Sequence, residues 1–156
     1  MKSGKHGREK DSMPKDARLI YLVFTAQQKL RTYLKNVFSE AGVTITPAQS
    51  GILFLLKRKN GQTMSELSQV LTLDNSTLTG LVDRLERSGF VKRNASMADR
   101  RASHVFITDK GGGEIERARA VINRVNEQIK GAFTQSEVEA FKKILKSFFV
   151  RFGTNP

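Results

Sequence analysis

The sequence predicts a mainly α-helical chain carrying one small β-hairpin, on three observations. Leu78, Leu81, Val82 and Leu85 repeat at i, i+3, i+4 and i+7, one apolar stripe on a helical period. Past Gly89 the period changes: Phe90 and Val91 begin a strand, and Ala102 to Thr108 alternates with Val105 and Ile107 on one face. Three longer stretches then carry a 3-4-3-4 apolar spacing. They are Leu19, Val23, Ala26, Leu30, Tyr33 and Val37; Ile115, Ala118, Ile122, Val125 and Ile129; and Val138, Phe141, Leu145, Phe148 and Phe152.

The elements follow in order. The first twelve residues lack apolar periodicity, and residues 1–15 are expected to form a mobile basic arm ahead of a single domain over 16–156. A helix is predicted over 16–41 and another over 47–58, opened by Thr46 as N-cap, Pro47 at the first helical position and Gln49 three residues on. Asn60-Gly61 breaks it from a helix over 64–72, whose capping box is Thr63 with Glu66. Asp74 caps a helix over 75–88, and Gly89 follows as its C′ residue. A strand over 90–94, a turn over 95–101 and a strand over 102–108 make the hairpin. Gly111-Gly112-Gly113 is expected to permit a tight strand-to-helix turn into a helix over 110–131. Thr134 and Glu137 box the start of the last helix, 135–152.

The helix over 75–88 has a polar face of Asn75, Ser76, Thr77, Thr79, Gly80, Asp83, Arg84 and Arg87. Short hydroxyl and amide side chains at a helix start approach base edges closely, and Arg84 can reach a guanine or a phosphate. The hairpin tip carries Asp99-Arg100-Arg101. Arginine at such a tip suits a narrow minor groove of strongly negative potential, and Asp99 can hold the turn by pairing with an arginine. Taken singly, the helix reads equally as a solvated surface helix and the turn as an ordinary charged turn. Their order, a recognition-type helix feeding a basic hairpin, describes a winged helix-turn-helix.

Composition points the same way. The 156 residues allow one domain and one continuous core, and 27 Lys plus Arg against 15 Asp plus Glu leave +12, which calls for an anionic partner. Residues 1–18 hold six basic and three acidic side chains, and 44–108 hold nine and five. The N-terminal segment has no apolar stretch of the signal-peptide kind, no apolar run is long enough to span a membrane, and there is no cysteine, so a cytoplasmic location is expected.

Enzyme chemistry finds little support. His6 and His104 are the two histidines, and they do not assemble a metal site. The triple glycine lacks the Lys-Ser/Thr of a phosphate loop. No catalytic residue, metal or cofactor is expected. The three long stripes need more cover than one small lobe supplies, so a homodimer is expected, with Phe141, Leu145 and Phe148 buried in it.

The run L-T-G-L-V-D-R-L-E-R-S-G-F-V-K-R, then A-D-R-R, then V-F-I-T-D-K-G, resembles the MarR family of bacterial transcription regulators. Thr46 to Leu53 and Met64 to Leu71 are similar to that family's second and third helices, and the resemblance runs from about Leu19 to the C-terminus. The chain departs from the family at Met97 and Ala98, where another acidic residue usually precedes the Asp-Arg-Arg run. The resemblance implies a DNA-binding lobe over about 44–108 and dimerisation helices over about 16–41 and 110–152. It implies a homodimeric repressor on a pseudo-palindromic operator of double-stranded DNA, released by a small-molecule effector. It puts the effector where the dimer helices meet the DNA-binding lobe, with Phe24, Gln28, Tyr33 and Phe54 as candidate contacts. A pocket framed by aromatics in a chain of +12 charge favours an anionic aromatic ligand, and the wide range of ligands the resemblance implies admits an acyl thioester. Thiol-based peroxide sensing is excluded for want of cysteine. An architectural, non-specific DNA binder and a protein-interaction module that has lost DNA binding are the alternatives.

Overall fold

The computed structural model describes residues 17–95 and 103–153. The arm over 1–15 and the tip residues Asp99, Arg100 and Arg101 lie outside the described residues. The element order is α1 (Ala17–Glu40), α2 (Pro47–Arg58), β1 (Gln62–Thr63), α3 (Met64–Leu71), α4 (Asn75–Arg87), β2 (Val91–Ala95), β3 (Ser103–Ile107), α5 (Asp109–Lys130) and α6 (Gln135–Phe152). This is the mainly α arrangement with a small antiparallel sheet that the sequence predicts.

The helix starts obey local chemistry. Thr46 with Gln49, Thr63 with Glu66 and Thr134 with Glu137 each form a reciprocal capping box. Asp74 and Thr108 cap α4 and α5 by accepting from backbone amides. Each such cap stabilises its helix by roughly 1 kcal/mol. Between α3 and α4 the chain turns through Thr72, a left-handed residue at φ 52°. Ser68 holds that turn from both sides: its carbonyl accepts from Leu73 N and its hydroxyl donates to Leu73 O.

One core joins these pieces. The α4 stripe of Leu78, Leu81, Val82 and Leu85 is buried against Ile52, Leu53 and Leu56 of α2 and Leu67 of α3. Val37 and Phe38 from α1 close one side, and Ile115, Ala118, Val121 and Val125 from α5 close another. This corrects the reading of α5. Its stripe is mostly consumed inside the chain, with Ile122 partly buried and only Ile129 of the predicted set exposed. Apart from Val37 at the end of α1, the other two stripes find little cover within one chain: α6 has no fully buried residue, and Leu19, Leu30 and Tyr33 of α1 are exposed.

The sheet holds a strand the sequence does not reveal. β1 pairs with β3 through Gln62–Val105 and Thr63–His104, giving the order β1-β3-β2 with every pair antiparallel. Two residues are too short to register as an alternation. Gln62 is buried there, donating its amide to Leu55 O and Lys59 O.

The triple glycine also needs a correction. It lies inside the first turns of α5, and none of the three has positive φ. Gly111 is required by close approach: a Cβ there would stand 2.1 Å from the Phe90 carbonyl oxygen. Gly112 and Gly113 face nothing within 4 Å.

Candidate nucleic-acid interface

The exposed face of α4 collects five of the predicted site residues. Asn75, Ser76, Thr77, Thr79 and Arg84 are all exposed, while the opposite stripe is buried. Thr77 and Arg84 lie two turns apart along one edge of that face, since seven residues nearly complete two helical turns.

The hydroxyls on this face are oriented before any partner arrives. Ser76 donates to Asp74 Oδ1 at 2.6 Å and Thr77 to Asp74 Oδ2 at 2.7 Å, while the Thr77 amide donates to Oδ1 at 2.8 Å. Thr79 donates to the Asn75 carbonyl at 2.7 Å. The Ser76 hydroxyl, then the Thr77 hydroxyl and amide, hold the Asp74 carboxyl far below its ordinary range. With their hydrogens turned inward, all three hydroxyls present oxygen lone pairs outward. Such acceptors match the amino groups of adenine N6 and cytosine N4 in the major groove.

Arg93, midway along β2, fixes the hairpin to the helix. Its guanidinium bonds Asp83 Oδ1 and Glu86 Oε2, both at 2.6 Å, and its amide donates to Glu86 Oε1 at 3.0 Å. Burial works against the Arg93 charge, and the two carboxylates more than restore it. Asp83 therefore belongs to this anchor rather than to a surface offered to DNA. The signal was present only as separations of 10 and 7 residues between opposite charges, which no periodic pattern singles out.

A second missed residue is Glu114 on α5, completely buried. It accepts from the amide and hydroxyl of Thr44, just ahead of α2, and from Arg117. Burial pushes its carboxyl up, but the Thr44 donors and Arg117 together hold it below the ordinary value.

The four effector candidates do not converge. Gln28 and Tyr33 share a shallow groove on α1, Phe24 is exposed at 66%, and Phe54 packs against the core. Gln28 also lines a deeper groove of about 480 Å³ between α1, the start of α2 and α4, together with Arg31, Lys35, Thr46, Gln49 and Arg84. That groove is basic and carries no aromatic wall. Among the described residues no cluster of histidine and carboxylate ligands could hold a metal, and no helix is long and apolar enough to cross a membrane.

The MarR family profile matches residues 45–103, from the start of α2 to the start of β3. The HTH-type transcriptional regulator TtmR of Methylorubrum extorquens is 33% identical over 107 residues, covering 69% of this chain and 53% of that protein, so the chain spans about half its length. Among solved structures, a MarR mutant from Escherichia coli complexed with operator DNA is similar with a TM-score of 0.76 and 26% identity, over 86% of this chain and 98% of that one. PcaV from Streptomyces coelicolor, described in complex with its natural ligand, shares the fold with a TM-score of 0.79 at 22% identity, over 91% of this chain and 99% of that one. These relatives and this fold are those of transcription regulators, not enzymes, and over residues 45–103 the chain matches the MarR family.

Proposed function

We propose that the chain is a homodimeric, sequence-specific DNA-binding repressor of the cytoplasm, released from its operator by a small anionic organic ligand. The observation that carries this reading is the exposed polar face of α4, three of whose hydroxyls are pre-oriented as acceptors on a rigid lobe. The bound DNA in the E. coli MarR structure supports the same use of the fold. Arg100 and Arg101, at the hairpin tip, would complete the interface from the minor groove.

The test is to sequence the duplex DNA that the purified protein retains from fragmented genomic DNA, then titrate the enriched site by fluorescence anisotropy at fixed salt. A preference of about 10³-fold or more over random duplex is expected. Equal binding to both would favour the architectural reading, and no binding would favour the interaction module. Arg101→Ala is expected to weaken the preferred site by about 1–3 kcal/mol. Unchanged affinity would remove the hairpin from the mechanism.

Arg93→Ala is expected to weaken the same complex by about tenfold, because freeing the hairpin from α4 makes binding bear the cost of ordering it. Its direct effect on stability is about 1 kcal/mol or less, since both acidic partners are more than one-third exposed. Circular dichroism should show a folded protein. An affinity equal to that of the unaltered chain would mean that the ion pairs do not orient the hairpin.

The uncovered faces of α1 and α6 support the dimer, with Phe141 and Leu145 exposed in a single chain and Phe148 half-buried. A two-fold axis there would set two α4 helices on successive major grooves. Sedimentation at micromolar concentration should give twice the 17.5 kDa of one chain. A stable folded monomer refutes it.

For the effector, Arg31, Lys35 and Arg84 in the groove beside α1 support an anion such as an aromatic carboxylate or its acyl thioester. Because Arg84 also belongs to the α4 face, a bound anion would oppose DNA binding at that side chain. Release then follows only if the ligand prefers the DNA-free conformation.

A further inference from the structure

Beyond this groove, a second cavity of about 800 Å³ opens at the far end of α4, where it meets the start of α5. Four cations line it: Arg84 and Arg87 from the last turn of α4, and Lys110 and Arg117 from α5. Arg117 is compensated by Glu114. Among the described residues, Arg84, Arg87 and Lys110 have no carboxylate partner, and no carboxylate lines the cavity.

Lys110 is held in place. Its ammonium donates to the Ser88 carbonyl at 2.7 Å and sits 4.9 Å from the Phe90 ring centroid. One donor therefore faces the chain while two hydrogens remain for another acceptor. Three cations without carboxylate partners around one concavity attract an anion, and guanidinium forks bind phosphate oxygens bidentately. A monocarboxylate would neutralise only one of the three charges. The cavity is also remote from the base-reading end of α4: Ser76 and Arg87 are eleven residues apart, about 16 Å along the axis.

We propose that this cavity is a binding site for a phosphate-bearing small molecule of two or more negative charges, with Arg87 and Lys110 as its principal contacts. The volume lies within the range of small-molecule sites. The site is separate from the effector groove and meets it only at Arg84 and Gln49, which line both.

The test uses the full chain without DNA and sodium tripolyphosphate as the probe, titrated calorimetrically at matched ionic strength. Saturable binding below about 1 mM is expected, with Arg87→Ala and Lys110→Gln each weakening it by about tenfold or more. Lys143→Gln, which removes the same charge from α6, should leave it unchanged. Absence of saturable binding overturns the proposal, as does an equal loss in the Lys143 variant, which would mark diffuse charge attraction. A second arm titrates duplex DNA. If Arg87→Ala and Lys110→Gln leave tripolyphosphate binding intact and weaken only the duplex, the cavity serves the DNA backbone and the small-molecule site falls. Failure to find any preferred DNA sequence would bear on the repressor reading alone.

Discussion

Gly111→Ala is expected to destabilise the fold by about 2 kcal/mol, whereas Gly112→Ala and Gly113→Ala, one and two residues further on, are expected to stabilise it. The new Cβ at Gly111 would meet backbone, the Phe90 carbonyl at 2.1 Å and its carbon at 3.0 Å, as well as Ile107 Cγ1 at 2.9 Å. No rotamer relieves a clash with a carbonyl. The start of α5 must move off the α4–β2 junction, and the Thr108 amide, which donates to that same Phe90 oxygen at 3.1 Å, moves with it. Overpacking of this kind costs about 1–3 kcal/mol and sometimes more, against a gain of about 1 kcal/mol in helix propensity. At Gly112 and Gly113 only the gain applies, because nothing stands within 4 Å. Thermal unfolding of the three variants is the measurement. A melting temperature for Gly111→Ala at or above that of the unaltered chain would show that α5 is free to shift.

Glu114→Ala should cost about 2–4 kcal/mol, the range for removing one partner from a buried, hydrogen-bonded charge. The substitution leaves the Thr44 amide and hydroxyl without their acceptor and opens a void beneath the loop that leads into α2. Glu114→Gln should lose less, since the amide oxygen still accepts from Thr44 while the attraction to Arg117 disappears. The pH dependence has a definite sign. A carboxyl whose folded-state value lies below its unfolded one contributes stability that is fully present above the unfolded value and is lost as pH falls through the folded value. The advantage of the unaltered chain over Glu114→Gln should therefore be constant near neutrality and shrink as pH falls below the ordinary carboxyl value of 4.5. Urea titrations of both proteins at pH 7, 5 and 3.5 read it directly. An advantage that grew on acidification would reverse the assignment.

The sequence by itself determined the helices, their starts and the face of α4. The capping boxes at Thr46, Thr63 and Thr134 join residues three apart, and the stripe from Leu78 to Leu85 lies within one helix, so both are set by local geometry. The acceptor role of Asp74 was legible for the same reason, and so was the change of period into β2 and β3. Only the tertiary structure decided what those elements touch. Glu114 finds Thr44 across 70 residues, and Arg93 chooses Asp83 and Glu86 from among fifteen acidic side chains. The α5 stripe had two physically equivalent uses, a partner chain or the chain's own core, and its spacing was the same for both. Packing of the Ile115, Ala118 and Val125 face of α5 against α2 and α1 settled it inward, while α6 found no such surface and stayed bare. Gly111 was a turn residue by composition and became a contact residue only when Phe90 was brought against it. The grooves around Arg84 belong to the same class. Arg31, Lys35, Lys110 and Arg117 come from two helices far apart in the chain, and their convergence on one arginine follows from how α1 and α5 cross α2 and α4, which no run of residues encodes.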